Sequence, residues 1–250
     1  MTTGTAYRWD DLEASDVASM LGVGTVELLE EVDSTLDVAH ERAAAGARSN
    51  VLIVADAQHA GRGRLGRSWS SAPRRGVWCT MVERPDPRAV DVLSLRVGLS
   101  IAERLDALAG ERVGVKWPND LVVGAGKLGG ILVEARWAGD QLSWVAIGVG
   151  INVIPPADVP TAAGMPAGVR RIDVLRQVVE GVRAAVSLRG PLSETELLRF
   201  QRRDILFGRR LASPGVGAGA GITPDGALMI RTAGGSEQHR AGTVEFAEGA

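Results

Sequence analysis

The sequence predicts an α+β fold, with strands and helices in mixed order followed by a small C-terminal β-barrel. Three observations lead to this prediction. Runs of apolar and β-branched residues recur between residues 25 and 153, helical patterns lie between some of those runs, and from Gly208 onward short β-like runs are separated by glycines. We therefore expect a main domain over residues 1–204 and a barrel over residues 205–250.

The first half of the chain alternates strands and helices after a polar, weakly patterned lead-in that ends at Gly24. Strand patterns cover residues 25–32, 51–58 and 77–83, and the second of these is apolar enough to be a buried strand. Asp33, Ser34 and Thr35 offer N-cap side chains to a helix that Gly46 can close. Apolar residues at helical spacing predict another helix over residues 93–109.

The second half begins with a strand that ends near residue 118 and a hairpin with Gly124 and Gly126 in its turn. A further strand over residues 142–153 precedes a Pro/Gly/Ala loop at residues 155–168 and helical patterns at residues 171–188 and 193–203. The turn at residues 223–226 falls within the predicted barrel.

Composition limits the possible function classes. The hydrophobic fraction of 45% and the charged fraction of 23% are typical of a globular protein. A formal net charge of −2 argues against a surface that binds nucleic acid or anionic lipid as a whole, so any anion site must be local. The single cysteine, Cys79, excludes an internal disulfide, and neither a signal peptide nor a membrane span is predicted. We expect a cytoplasmic protein without membrane contact.

The segment from Gly61 to Trp69 reads GRGRLGRSW and satisfies the dinucleotide pattern G-x-G-x-x-G. That fingerprint requires a helix after the last glycine, and the residues that follow contain Pro73 and no apolar period. A phosphate loop fails for the same reason, and because Arg67 stands where a lysine is needed. A loop remains, with three arginines suited to phosphate and an indole suited to a purine, or alternatively a merely solvated basic turn.

Three further stretches combine charged residues with glycines inside strand patterns. They are KWPND at residues 116–120, KLGGILVE at residues 127–134 and GVGIN at residues 148–152. Taken singly, the first can be an ordinary bend and the second a hairpin with a solvated lysine. Alternate glycines in the third indicate close approach of a ligand or another backbone.

In order and wording, these four stretches resemble the biotin protein ligase family over almost the whole chain. The helix start at Asp33 to Thr35 and Gln58 also fit that family, whereas Gly129 and His59 stand where some members have alanine and glutamine. The resemblance implies a catalytic domain related to class II aminoacyl-tRNA synthetases over residues 1–204, followed by the small barrel. It also implies that biotin is activated with ATP to biotinyl-5'-AMP and then transferred to a lysine of a biotin carboxyl carrier domain of acyl-CoA carboxylases.

The resemblance assigns roles to individual residues. Lys127, Arg64 and Asp120 are expected to be catalytic, with Lys127 contacting both the biotin carboxylate and the phosphate, and Asp120 orienting the acceptor amine. Mg²⁺ is expected on the phosphates, with unknown protein ligands. Biotin is expected to contact Ser34, Thr35, Gln58, Gly61, Arg62, Gly130, Gly148 and Gly150. ATP and the adenylate are expected to contact Arg62, Gly63, Arg64, Arg67, Trp69, Lys116, Asn119, Lys127 and Asn152.

Two alternatives remain beside this function. A lipoate ligase shares the fold and the adenylate chemistry, although the wording of the arginine and GVGIN stretches disfavours it. A bifunctional ligase and repressor needs a DNA-binding unit, and the residues before the first strand are too few to form one, so we expect no specific DNA binding. The sequence leaves the oligomeric state open between a monomer and a weak dimer.

Overall fold

The computed structural model describes residues 7–247, so the first six residues of the predicted main domain and the last three of the predicted barrel lie outside the described residues. Its main sheet has seven strands in the order β1-β2-β3-β7-β6-β5-β4. Strands β1 and β2 pair in parallel, and every other neighbouring pair in this sheet is antiparallel. The strands are β1 Thr25–Val32, β2 Val51–Gln58, β3 Gly76–Glu83, β4 Gly114–Lys116, β5 Asp120–Val123, β6 Gly126–Ala138 and β7 Gln141–Asn152.

Five α-helices accompany the sheets in the described part of the chain. They are α1 Ala14–Leu21, α2 Thr35–Ala44, α3 Leu93–Ala109, α4 Arg171–Val186 and α5 Glu194–Gln201. Short 3₁₀ turns lie at Arg64–Gly66 and Pro87–Val92. None of the helices between residues 7 and 247 combines the length and the apolarity that crossing a bilayer requires.

The main sheet carries helices on both faces, which explains why its inner strands are almost continuously apolar. Along β2, Leu52 and Val54 share a core with α3 and α4, whereas Val51 and Ile53 pack with α2 on the opposite face. Alternate side chains of a strand point to opposite faces, so a strand buried on both sides needs an apolar residue at nearly every position. The strand and helix predictions for residues 25–203 are confirmed within a few residues at each end.

The lead-in has more structure than its polar composition indicated. Helix α1 lies within it and ends at Gly22, which adopts the left-handed conformation (φ 61°). Trp9 is fully buried, and Val17 and Leu21 belong to the main core. No helix was predicted in this segment, which packs on the main core through a few apolar side chains.

The C-terminal part is a five-stranded antiparallel sheet in the order β11-β10-β9-β8-β12. Its strands are β8 Arg210–Ser213, β9 Gly217–Ile222, β10 Leu228–Thr232, β11 Gly235–His239 and β12 Glu245–Phe246. The prediction of a β-rich tail is confirmed, but no pairing joins β11 to β12 within the described residues, so the closed barrel was a wrong expectation. Strand β12 has only two residues, too few to close a barrel.

Apolar residues of the C-terminal sheet, including Leu211, Ile222 and Leu228, belong to the same core cluster as the main sheet. Trp117 is almost fully buried, and its indole donates a hydrogen bond of 2.9 Å to the carbonyl of Gly226. The C-terminal sheet is therefore fastened to the end of β4, beside the stretch at residues 116–120. The division into units at residue 204 stays a prediction.

Candidate active site

A cleft of about 1030 Å³, including space open to solvent, lies over the glycine-rich parts of β6 and β7. The N-terminus of α2, the loop after β2 and the C-terminal segment Gly242 to Val244 form its walls. From here on, the arginine loop means residues Gly61 to Ser71. The segment after Gly66 is extended rather than helical, which confirms the rejection of dinucleotide and phosphate-loop folds.

The floor of the cleft is made of glycines because other side chains occupy the space above them. Gly130 of β6 pairs directly with Gly150 of β7. A Cβ atom at Gly150 would lie 2.6 Å from Nε1 of Trp69, and one at Gly148 would lie 3.2 Å from Leu36. Close approach to these glycines was correctly predicted, but within the protein it comes from an indole and a leucine side chain.

Two of the predicted cationic groups are the only lysines of the chain, Lys116 and Lys127, and both line the cleft. The Nζ atom of Lys127 lies 2.7 Å from Oδ1 of Asp120 and 5.1 Å from the centre of the Trp69 ring. Lys116 lies over the ring of Phe246 at 5.4 Å, and burial lowers the pKa of its ammonium group. The scarcity of lysine was an available signal that these two positions are special.

The three arginines of the loop all line the cleft but have different partners. Arg62 donates to both carboxylate oxygens of Asp37 and also lies 3.3 Å from Glu134. Arg67 donates a 2.7 Å hydrogen bond to Oγ1 of Thr243. The side chain of Arg64 forms no hydrogen bond or ion pair within residues 7–247, and burial lowers the pKa of its guanidinium. Arg64 is therefore the loop arginine that is ready for an anion.

A hydrogen-bonded polar network closes one end of the cleft. Oε1 of Gln58 accepts hydrogen bonds from the backbone amide (2.9 Å) and hydroxyl (3.1 Å) of Thr35, and its Nε2 donates to Ser71 at 2.8 Å. The Thr35 hydroxyl also lies 2.8 Å from the buried hydroxyl of Thr80. Ser34 caps α2 by accepting from the Leu36 amide at 3.4 Å. The network fixes Thr35 and Gln58 in position before any ligand arrives.

Most residues expected at the site line this cleft, and two do not. The expected residues that line the cleft are Ser34, Thr35, Gln58, Arg62, Gly63, Arg64, Arg67, Trp69, Lys116, Asn119, Asp120, Lys127, Gly130, Gly148 and Gly150. Gly61 lies outside the lining, and its carbonyl accepts from the Trp69 amide at 2.8 Å. Asn152 is buried and donates to the Lys127 carbonyl at 3.3 Å, while the side chain of Asn119 donates to the Ile131 carbonyl at 2.9 Å.

Sequence reasoning missed several residues of the lining. Among these are Leu36, Leu65, Cys79, Trp117, Ile131, Val149 and the segment Gly242 to Val244. Cys79 and Val149 are ordinary core residues by composition, and burial raises the pKa of the Cys79 thiol to about 12. Thr243 is separated from Arg67 by 176 positions in the sequence, so no local pattern could connect the two.

Metal binding by side chains alone finds little support in the cleft. Within the described residues, no group of three or more His, Cys, Asp or Glu side chains is placed to hold an ion. Asp120 is the only carboxylate among the lining residues, and it is paired with Lys127. This donor set fits a Mg²⁺ ion that is held mainly by substrate phosphates, as is common for Mg²⁺.

The cleft combines cationic side chains, a glycine floor and the indole of Trp69, a composition suited to a small anionic ligand. The family model described as the biotin/lipoate A/B protein ligase family matches residues 28–152, which is half of the chain. The chain belongs to this family. The membership predicted from its four sequence stretches is thereby confirmed.

Individual relatives agree with this assignment. The biotin-[acetyl-CoA-carboxylase] ligase of Paracoccus denitrificans is 34% identical over 145 residues, which are 56% of this chain and 58% of that protein. The bifunctional ligase/repressor BirA of Bacillus spizizenii is 38% identical over 129 residues, 51% of this chain and 40% of that protein. The chain thus spans less than two thirds of either relative.

The fold is shared with solved structures. A biotin protein ligase from Aquifex aeolicus, in complex with biotin and ATP, superposes with a TM-score of 0.72 at 23% identity. The superposition covers 90% of this chain and all of that one. This likeness supports the same fold over nine tenths of the chain.

Proposed function

We propose that this protein is a biotin protein ligase that converts biotin and ATP into biotinyl-5'-AMP and transfers the biotinyl group to a lysine. The observation that carries the proposal is that Lys127, Lys116 and Arg64 line the same cleft as the Trp69 indole. Relatives named as biotin-[acetyl-CoA-carboxylase] ligases support the choice of substrate.

In the first half-reaction, a carboxylate oxygen of biotin attacks the α-phosphorus of ATP and pyrophosphate leaves. Two anions must approach each other, and negative charge builds up on the phosphoryl oxygens, so fixed cations lower the barrier. Lys127 lies beside Trp69 and is our first choice for contacting both the carboxylate and the phosphate. Lys116 and Arg64 add positive charge that burial makes more effective.

In the second half-reaction, the amine of an acceptor lysine attacks the acyl carbon of the mixed anhydride and AMP leaves. Asp120 holds Lys127 with one carboxylate oxygen. The proposal gives its other oxygen the task of orienting the entering amine or accepting a proton from it. We assign the acceptor to a biotin carboxyl carrier domain of acyl-CoA carboxylases, and the compartment to the cytoplasm.

Substrate placement follows from the two ends of the cleft. Biotin is an apolar bicycle with a polar ureido edge, which suits an apolar pocket with a few fixed polar groups. The network of Thr35, Gln58 and Ser34 supplies such groups, and the backbone of Gly130 and Gly148 allows close approach. The adenine ring is assigned to Trp69, with Mg²⁺ carried on the phosphates. A kinship with class II aminoacyl-tRNA synthetases is proposed on the adenylate chemistry.

The decisive experiment incubates the protein with ATP, Mg²⁺, biotin and a purified carrier domain, and measures covalent biotin by mass. A parallel reaction replaces biotin and its acceptor with lipoate and a lipoyl domain, and biotin omission is the control. Mass added only with biotin supports the proposal. Mass added only with lipoate makes the protein a lipoate ligase, and no mass change in either reaction contradicts both.

Specific DNA binding is a separate question, because the BirA relative is named both as a ligase and as a repressor. We propose that residues 7–247 bind no specific DNA. A gel shift at physiological salt, with biotin and ATP present, tests this against random DNA. A sequence-selective shift would contradict it.

A further inference from the structure

Arg62 connects the arginine loop to two elements outside the loop. Its Nη1 and Nη2 atoms donate to Asp37 of α2 at 2.9 and 2.7 Å, which is a two-pronged charge-assisted contact. Its Nε atom lies 3.3 Å from Oε1 of Glu134 in β6. The contact with Arg62 lowers the pKa of the Asp37 carboxyl. Helix α2 and strand β6 are thus joined through one side chain of the loop.

Glu134 is itself held in place by further hydrogen bonds. Its Oε2 atom lies 2.8 Å from Nε2 of His40, and Nε1 of Trp144 donates to Nδ1 of His40 at 3.0 Å. Since Nδ1 accepts a hydrogen bond from the indole, the neutral imidazole carries its proton on Nε2. This N–H group donates a hydrogen bond to Glu134. Burial by itself raises the pKa of the Glu134 carboxyl. The hydrogen bonds from His40 and Arg62 lower it by more, so the pKa lies below its ordinary value. The carboxylate therefore stays charged opposite Arg62.

Arg62 and Arg64 both line the cleft, but they differ in how many of their N–H groups are already hydrogen-bonded. Three of the five N–H groups of Arg62 are committed to carboxylates, and a phosphate could take them only by breaking the contact with Asp37. Arg64, two positions along the same loop, has no such partner within the described residues. Arg62 is therefore held by two carboxylates of the protein, whereas the guanidinium of Arg64 is available in the cleft.

We propose that Arg62 is a positioning residue whose contacts with Asp37 and Glu134 hold the arginine loop over the cleft, which leaves Arg64 to meet the anion. The identity of that anion rests on the proposed function, whereas the fastening of the loop does not. This replaces the sequence-based role of Arg62 as a direct contact of biotin and phosphate. Asp37, and Glu134 at the end of the KLGGILVE stretch, become the residues that hold the loop over the cleft.

Hydrogen exchange of the free protein tests the fastening without any substrate. The Gly63 amide donates to the Arg67 carbonyl at 2.7 Å and the Trp69 amide to the Gly61 carbonyl at 2.8 Å, so exchange of both amides reports how well the loop is ordered. Asp37→Asn and Glu134→Gln should each speed exchange of these two amides by about three- to tenfold, the range expected when a partly exposed charged contact is lost. Amides of β3 should keep their wild-type rates.

Three comparisons separate this role from a general loss of structure. Glu41→Gln removes an acid from the same helix whose carboxylate lies 3.7 Å from Arg42, and it should leave loop exchange unchanged. Asp37→Glu keeps the charge and should restore protection to within about twofold of wild type. Added salt should speed loop exchange in wild type but hardly in Asp37→Asn, because the screened pair is already gone.

Unchanged exchange at Gly63 and Trp69 in both Asp37→Asn and Glu134→Gln would overturn the proposal. So would acceleration that is equal in the Glu41→Gln control. Because no biotin, ATP or carrier enters this experiment, its outcome is independent of whether the biotinylation assay succeeds. A failed assay with altered exchange would leave the loop fastening standing and remove only the ligase function.

Discussion

The ammonium group of Lys127 lies 2.7 Å from the carboxylate of Asp120, on adjacent strands of one hairpin. The pairing fixes the ammonium group of Lys127 in the cleft, where the proposed function puts the reacting anions. Because the contact lies at the surface of the cleft and not in the apolar core, its removal should affect chemistry more than folding.

Lys127→Ala should slow adenylate formation by about 100- to 1000-fold, the cost typical of losing one group that stabilises developing charge. Biotin-dependent exchange of labelled pyrophosphate into ATP measures this step. The melting temperature should stay close to wild type, and Arg88→Ala, which changes an exposed arginine outside the cleft, should exchange at the normal rate. Wild-type exchange in Lys127→Ala would remove this lysine from the mechanism.

Arg64→Gly should still form the adenylate but release it. A charge-assisted contact contributes about 1.5 to 3 kcal/mol, so its loss should speed escape by roughly 10- to 100-fold. The released intermediate would acylate lysines of any protein nearby. Biotin on an unrelated bystander protein, measured in the presence of ATP and biotin, gives the leak. Labelling equal to wild type, with adenylate synthesis intact, would transfer the retaining contact to Arg67.

Gly150→Ala should displace the Trp69 indole, because the added Cβ would lie 2.6 Å from its Nε1 atom. If Trp69 stacks on adenine, the KM for ATP should rise about three- to tenfold, the range for loss of an aromatic contact. Gly98→Ala in α3 is the matched control, since its Cβ would meet Ile131 at an ordinary 3.6 Å. An unchanged KM and unchanged tryptophan fluorescence would show that the floor tolerates a methyl group.

Asp204 should make stability depend on pH. Burial raises the pKa of its carboxyl to about 7, Oδ1 accepts from the Leu206 amide at 2.9 Å, and Oδ2 is buried without a partner among the described residues. The unfolded chain releases this proton near pH 3.9, so between roughly pH 4 and 7 the folded state holds one proton more. The free energy of unfolding should therefore fall as pH rises through this window.

Asp204→Asn should remove that dependence. At pH 8 the variant should be more stable than wild type by on the order of 4 kcal/mol, and near pH 4 the two should be alike. Urea unfolding at several pH values measures the difference. Asp140→Asn, in the exposed turn between β6 and β7, should follow the wild-type pH profile. If the free energy of unfolding varied with pH in the same way for Asp204→Asn and wild type, ionisation of Asp204 would not destabilise the folded state.

The sequence was most informative where burial imposes a long periodic pattern. Helix α3 begins and ends at the predicted residues because its 17 residues keep one apolar face against the sheet. Helix α1 was missed because its eight residues bury only Val17 and Leu21, which is too little periodicity to detect. The prediction of a closed barrel was wrong because short β-like runs indicate strands but do not show whether the two outer strands of the sheet pair with each other.

Site residues were found where the chemistry is local in sequence and missed where it is not. Lys127 and Asp120 come together through a tight hairpin that the glycines predicted. Thr80 and Ser71 complete a polar network from a buried strand and a loop end, where an isolated hydroxyl carries no motif. The pairing of Arg62 with Asp37 depends on where α2 packs against the sheet, and no local sequence pattern shows that position.

The placement of both lysines inside the cleft has a consequence for what the protein does to itself. The chain carries 26 arginines and only these two lysines, so its exterior offers guanidinium groups in place of ε-amines. Guanidinium stays protonated at neutral pH and is a poor nucleophile. If the proposed function holds, an activated acyl group that leaves the cleft meets no lysine outside the cleft among these 250 residues. Arginine in place of lysine would then protect such an enzyme from acylation by its own intermediate.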